Sequence, residues 1–288
     1  MSIEVIDTRF LGIERVVAAH LIDGEILIDP GPASSIEHVI RELGDRVPSM
    51  ILLTHVHLDH AGGVGKLVEH YPQAQVYIHE IGVPHVIDPT RLLASATRVY
   101  GEQGMEVFGE TIGVPAEQVH ALHDGDVIAG IKAIHTPGHS NHHMAFMHLE
   151  SEYTLVGDLV GQTIHGFDGR LLSTPPPEVD IELWIESIDK LAAHDPFPST
   201  LGLTHFGRVP DVIDHMDAAK RELRRLAELA RDSSLEEFVA DQERALESVP
   251  PDVAESLAGA LPSFEQCYAG LTRYWSKRAE REAGTAEA

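Results

Sequence analysis

The chain has 288 residues, enough for one large domain or a core domain with an appendage, and 43% of them are hydrophobic, ample for a sizeable buried core. Asp and Glu number 46 against 21 Lys and Arg, a formal net charge of −25 that repels nucleic-acid phosphates and anionic lipid heads. The one cysteine, Cys267, excludes an intramolecular disulfide and a thiolate metal cage.

No apolar run approaches the ~18 residues of a membrane span. The opening "MSIEVIDTRF" has neither the basic nor the apolar region of a secretory signal. A cytoplasmic protein acting on a small-molecule substrate is expected, without a nucleic-acid or membrane partner; a homodimer is left open.

In chain order, "IEVIDTRF", "ERVVAAHLID" and "EILIDPG" read as three short strands closed by turn signals. "SSIEHVIRELGD" reads as a helix, with Ser34 or Ser35 as its cap and Gly44 as its stop. "SMILLTH" is a short apolar run of the kind that forms a buried strand, and "GVGKLVEHYP" returns to helical spacing. From Gly82 to Gln118 the pattern loosens into helical pieces broken by Pro and Gly, the sort of insertion that covers a site. Within its central part, residues 85–115, Leu92, Leu93, Tyr100, Met105 and Phe108 could form an apolar lid over a substrate or merely pack the insertion onto the core.

Strand-like stretches resume at "DVIAGIKAIHT", "HMAFMHLE" and "YTLVGD"; "PEVDIELWIESIDKLAAHD" reads as a helix and "TLGLTHFG" as the last core strand. A boundary is placed near residue 210, between a mixed α/β region, 1–210, and an α-helical region, 211–288. There, Val212, Ile213, Met216, Ala219, Leu223 and Leu226 fall on one helical face. A following helix is capped by Ser233 or Ser234, with Glu236 or Glu237 three residues on. The basic run Lys220, Arg221, Arg224 and Arg225 reads as a solvated face, and Cys267 as a small core residue.

The chemistry gathers in "THVHLDHAGG", residues 54–63. In an extended backbone alternate residues share a side, so His55 and His57 can converge on one ion. Asp59 and His60, after the bend, reach a neighbouring position, and Gly62 and Gly63 let the chain turn into the next helix. Imidazole and carboxylate suit zinc, iron or manganese. Three more candidates follow strand-like runs, where loops build sites on a rigid frame: His139 in "HTPGHS", Asp158 ending "YTLVGD", and His205 ending "LGLTH". Asp29, in an Asp-Pro-Gly turn signal, is a weaker candidate. His79, His85 and His123 read as surface or structural residues. His165, seven residues beyond Asp158 in a glycine-flanked loop, reads the same way, with a substrate contact as the sharper option.

Taken together, "LIDPG", "THVHLDH", "PGH", "GD" and "TH" resemble the five motifs of the metallo-β-lactamase superfamily, in its order, over residues 3 to 208. The resemblance implies an αββα four-layer sandwich with a helical C-terminal appendage. It implies that His55, His57 and His139 hold one divalent ion, that Asp59, His60 and His205 hold a second, and that Asp158 bridges them. Asp29 and His143 would orient ligands without touching metal. The implied cofactors are two divalent ions, zinc first, with iron or manganese as alternatives. Paired metals imply hydrolysis, with Asp59 as a proton acceptor.

Departures narrow the subfamily. Asp158 argues against broad-spectrum β-lactamases, and the full ligand set argues against a mononuclear persulfide dioxygenase. Gly161 stands where acyl-homoserine lactonases commonly carry a tyrosine. Glyoxalase-type thioesterases share the ligand set, although "GDLVGQTIHGFDGR" spaces Arg170 differently from their basic segment. The expectation is a glyoxalase-like binuclear hydrolase of an ester, thioester or lactone. An iron-dependent oxygen or sulfur-redox protein on the same fold, or a phosphodiesterase, is the alternative.

Overall fold

The structure is a computed structural model describing residues 2–163, 171–247, 249, 254 and 262–286. Six strands make a first sheet in chain order: β1 (Ile3–Asp7), β2 (Ala18–Ile22), β3 (Ile26–Ile28), β4 (Met50–Leu52), β5 (Gln75–His79) and β6 (Val119–Leu122). Six more make a second sheet: β12 (Gly207–Val209), β11 (Thr200–Leu203), β10 (Tyr153–Leu155), β9 (Met144–His148), β8 (Ile131–His135) and β7 (Val127–Ile128).

The alternation of side chains along these strands assigns every apolar residue to a layer. Ile26 and Ile28 of β3 point inward to meet Met144 and Phe146 of β9, forming the core between the sheets. Leu27, on the other face of β3, packs against α1 (Ile36–Leu43) and α3 (Val64–His70). Ala145 and Met147, on the outer face of β9, pack against α6 (Ile181–Ala192), through Trp184 and Ile188. Helix on sheet on sheet on helix is therefore the αββα sandwich that the sequence implies.

The same outer cluster takes in the C-terminal helices α7 (Val212–Asp232), α8 (Leu235–Ala245) and α9 (Phe264–Ala286), by way of Leu223, Phe238 and Leu271. On α7 the buried stripe contains Val212, Met216, Ala219, Leu223 and Leu226 as the spacing predicts, but not Ile213, which is 63% exposed. Ile213 is one residue, about 100° of helical turn, from Val212, and so rotates off the stripe. Its place is taken by His215, which is buried against the Val160 carbonyl. Ser234 and Glu237 form the capping box of α8. At α1 the expected serine cap is absent: Ser35 makes no side-chain cap bond, and Ser34 Oγ donates instead to the Val107 carbonyl at 2.7 Å, tying the insertion down.

Three strands escape the sequence pattern. β5 alternates Gln, Val, Tyr, Ile and His right after a helix, while β6 and β12 have only four and three residues. Pairing fixes all three: β5 runs parallel to β4, β6 parallel to β5, and β12 antiparallel to β11. The insertion contains α4 (Val83–Ile87) and a longer α5 (Thr90–Glu106) that is broken at Gly101. No helix among the described residues is long and apolar enough to cross a membrane.

Candidate metal centre

β3 and β4 are parallel, so their C-terminal ends deliver Asp29 and the Thr54–His60 stretch to one edge of the first sheet. The second sheet presents the loop between β8 and β9, with His139, and the segments after β10 and β11, with Asp158 and His205, to the same place. A short helix, α2 (Leu58–Ala61), carries Asp59 and His60. Three groups of side chains bring their ligand atoms within 4.8 Å of one another: His55, His57 and His139; His55, His60 and Asp158; and Asp59, His60 and His205.

The spacings are those of donors around ions. Two nitrogens each about 2.1 Å from one tetrahedral ion lie about 3.4 Å apart. His139 Nε2 is 3.0 Å from His57 Nδ1, and His205 Nε2 is 3.2 Å from His60 Nε2. The two oxygens of Asp158 face different groups. Oδ2 lies 3.3 Å from His139, while Oδ1 lies 3.2 Å from His60 and 3.4 Å from His205. Asp59 Oδ2 is 3.3 Å from His205.

For four of the five rings, a hydrogen bond on the far side decides which nitrogen is bare. His205 Nδ1 donates to the Val16 carbonyl at 2.8 Å and His139 Nδ1 to the Ser173 carbonyl at 3.2 Å. His60 Nδ1 donates to Asp29 Oδ2 at 2.9 Å. Thr54 Oγ1 donates to Asp29 at 2.7 Å, so its lone pair receives His55 Nδ1–H at 3.0 Å. That leaves His55 Nε2 buried with no hydrogen-bond partner among the described residues, and it lies within 4.8 Å of the donor atoms of His57 and His139, where an ion could accept its lone pair. The all-nitrogen and oxygen donor set, with its orphaned inward atoms, fits divalent ions.

Asp29 is the hub of this arrangement. It is fully buried and accepts from His60, from the Thr54 amide and hydroxyl, and from Thr204 Oγ1 at 2.9 Å. Burial alone would raise its pKa, but the His60 charge and these donors outweigh burial and hold it below the usual carboxylate range. His143 plays the corresponding part for Asp158: its Nε2 accepts the Asp158 amide at 3.2 Å, and its Nδ1 donates to Thr136 Oγ1 at 2.8 Å.

A family model described as the metallo-beta-lactamase superfamily matches residues 13–197. The chain belongs to this superfamily. A superfamily protein of Sulfurisphaera tokodaii, ST1585, is 26% identical over 205 residues, 68% of this chain and 74% of that protein. The solved structure of ST1585 shares the fold with a TM-score of 0.72 at 21% identity, covering 94% of this chain and 98% of the other. A hydroxyacylglutathione hydrolase of Xylella fastidiosa is 29% identical over 154 residues, 52% of this chain and 48% of that enzyme. The chain thus matches about half the length of that hydrolase. TTHA1623, solved in a di-iron-bound form, is 27% identical with a TM-score of 0.50, over 67% of this chain and 89% of the other.

For this member of the superfamily, the structure gathers His55, His57, Asp59, His60, His139, Asp158 and His205 in one place, with Asp29 and His143 behind them. His165 and Arg170 lie outside the described residues. Gly62 and Gly63 have ordinary helical φ, −57° and −86°, so they do not supply a tight turn. Gly63 supplies room instead: a Cβ there would come within 3.0 Å of the Gly31 carbonyl oxygen, to which Gly63 in turn donates its amide.

Sequence reasoning missed Thr54, Thr204, Trp184 and His142. Trp184 stands edge-on to His139 at 5.0 Å, with its indole N–H on the Leu159 carbonyl. His142 Nε2 accepts the Val56 amide at 3.1 Å, and burial pushes its pKa well down. Thr54 and Thr204 stand in the quoted motifs only as the residues that precede a histidine, and no motif marks Trp184. His142 was visible only as one more histidine in "HTPGHSNHH". His85, read as a surface residue, lines the cleft beside His57. His79 stacks on His135 at 4.2 Å, and His123 stays exposed near Glu80. The cleft, of about 160 Å³, is walled by Leu58, Leu92, Tyr100 and Phe108, with Arg91 and Glu178 among its polar residues. Leu92, Leu93, Tyr100, Met105 and Phe108 therefore pack onto Phe10, Val16 and Leu58, and three of them also face the cleft.

Proposed function

We propose that the protein uses two divalent ions to hydrolyse an ester, thioester or lactone carbonyl. The observation that carries this reading is the division of Asp158, whose oxygens face separate imidazole groups as a carboxylate shared by two ions requires. On this reading His55, His57 and His139 hold one ion, Asp59, His60 and His205 hold the other, and Asp158 joins them. When bound, such ions supply hydroxide by lowering the pKa of water from ~16 towards ~7, and a Lewis-acid contact for the carbonyl oxygen.

The chain's own part is to aim and to hold protons. Asp29, Val16 and Ser173 fix the ring tautomers so that lone pairs point inward. Burial would raise the Asp59 carboxyl, but His60 and His205 bring it down to about 2, so it stands ionised near neutral pH. Asp59 is then a proton acceptor that passes a proton on to the departing group rather than storing it. The apolar walls of the cleft suit the acyl part of a substrate and exclude water from it. The likeness to hydroxyacylglutathione hydrolases supports a thioester among the candidates.

Zinc is the first candidate metal. The di-iron form of TTHA1623 supports iron as the second, and with it an oxygen- or sulfur-redox role on the same ligands. The test is a panel of esters, thioesters, lactones and phosphodiesters, run with metal analysis and a visible spectrum of the same sample. Colourless protein with two ions that cleaves a carbonyl substrate is expected, and Asp158→Ala should retain one ion or fewer and lose hydrolysis. An Asp158→Ala protein with two ions and full rate refutes the bridge. Iron with oxygen consumption and no hydrolysis supports the redox role instead.

A further inference from the structure

Helix α5 is broken one residue after Tyr100, where Gly101 takes φ 70° and ψ 169°. The break interrupts the helical ladder beside the Val99 carbonyl, and a side chain from the C-terminal helix supplies a donor to it: Gln266 Nε2 reaches Val99 O at 2.8 Å. The Tyr100 ring meets Phe108 edge-on at 5.3 Å, and Phe108 stacks at 5.8 Å on the fully buried Phe10. Tyr100 is thus fixed through its backbone neighbour and through its ring, and it lines the same cleft as His57.

Its hydroxyl is the part without an evident structural use. No described residue gives it a hydrogen bond. Partial burial, and after it the charges of Asp59 and Asp158, push the phenol well above its ordinary range. The group therefore keeps its proton and sits within electrostatic reach of the carboxylates of the metal centre. A protonated phenol with no partner among the described residues, held on the wall of a mostly apolar cleft beside the site, can donate to an acceptor that the substrate brings.

Building on the hydrolase reading above, we infer that Tyr100 is a catalytic residue whose Oη–H donates a hydrogen bond to the substrate carbonyl oxygen as that oxygen gains negative charge. No proton is transferred: the phenol stays protonated throughout, and the bond strengthens as charge develops.

The experiment compares wild type with Tyr100→Phe, which keeps the ring, its packing on Phe108 and the cleft shape. Loss of one such donor costs about 10²–10³-fold where it acts alone. Because a bound ion would share the oxygen, kcat should fall about 10–100-fold with KM changed less than about threefold. Metal content and melting temperature should be unchanged. A second arm measures, by calorimetry on the metal-loaded protein, the binding of a short alkylphosphonate, a tetrahedral anion that mimics the charged oxygen without being turned over. Tyr100→Phe should bind it about tenfold more weakly. Equal kcat in wild type and variant, or equal phosphonate affinity, overturns the assignment. If the wild type cleaves no carbonyl substrate, the hydrolase reading fails, and the phosphonate comparison still decides for or against the Tyr100 donor.

Discussion

Replacing Thr54 by valine keeps the outline of a side chain that makes two hydrogen bonds inside the metal centre. Thr54 Oγ1 donates to Asp29 Oδ2 at 2.7 Å and accepts His55 Nδ1–H at 3.0 Å. Valine leaves the buried imidazole N–H without an acceptor and takes one of four donors from Asp29. A buried group left unpaired costs about 1–3 kcal/mol. Independently, loss of an outer partner of a metal-ligating histidine typically weakens metal binding about 10–100-fold, which is about 1.4–2.8 kcal/mol. The two routes converge, so the variant should hold metal 10–100-fold less tightly, by about 1–3 kcal/mol. Competition with a chromophoric chelator measures this directly, and urea unfolding of loaded and stripped protein shows how much of the loss is stability. A Thr54→Val protein that binds both ions as tightly as wild type and unfolds at the same urea concentration would show that Thr54 does not orient His55.

Gly138 precedes His139 and packs on Trp184, where a Cβ would come within 2.2 Å of the Trp184 Cα, at φ +135°. Gly138→Ala should therefore destabilise the fold by about 2–5 kcal/mol and displace His139, read as a lower melting temperature and metal content below two. Acidification should empty the two halves of the site in order. Burial lowers His60 and His205, but Asp158 and Asp59 outweigh it and raise both pKa values. His55, His57 and His139 are lowered, first by burial. In the metal-free fold, His60 and His205 contribute stability that is full below the ordinary imidazole pKa of ~6.5 and is lost as pH rises through their raised values. Protons and metal thus compete most strongly at the Asp59, His60 and His205 group. As pH falls, that ion should leave first, and dialysis with metal analysis at descending pH should pass through a one-ion plateau. Simultaneous loss of both ions would refute the ordering.

Much of the candidate site is legible because the side chains that the structure gathers sit where the chain itself advertises them. His55 and His57 alternate at the end of an apolar strand, and His139, Asp158 and His205 follow similar runs. The core strands and the long helices are legible for the same reason, since burial imposes a period on the sequence. What is less legible is short or solved by packing. β6 has only four residues, and Ile213 belongs to the apolar composition of α7 but not to its buried stripe. Gly62 and Gly63 look like turn residues, yet Gly63 serves a close approach between backbones.

The sequence by itself determined the kinds of donor, their grouping along the chain and the apolar patterning of the core strands and long helices. These are local properties, written in a few consecutive residues. Only the tertiary structure decided which nitrogen of each ring is bare and which way each Asp158 oxygen faces. Those depend on partners far away in the chain: Val16 for His205 and Thr204 for Asp29, 189 and 175 residues apart. It also decided that one wall of the cleft comes from α5 and that α9 braces it, through a hydrogen bond between Gln266 and Val99 that joins residues 167 apart. An imidazole is symmetric enough to bind through either nitrogen, and a tyrosine on an insertion can face solvent, core or substrate. Those choices fall to whatever packs beside them.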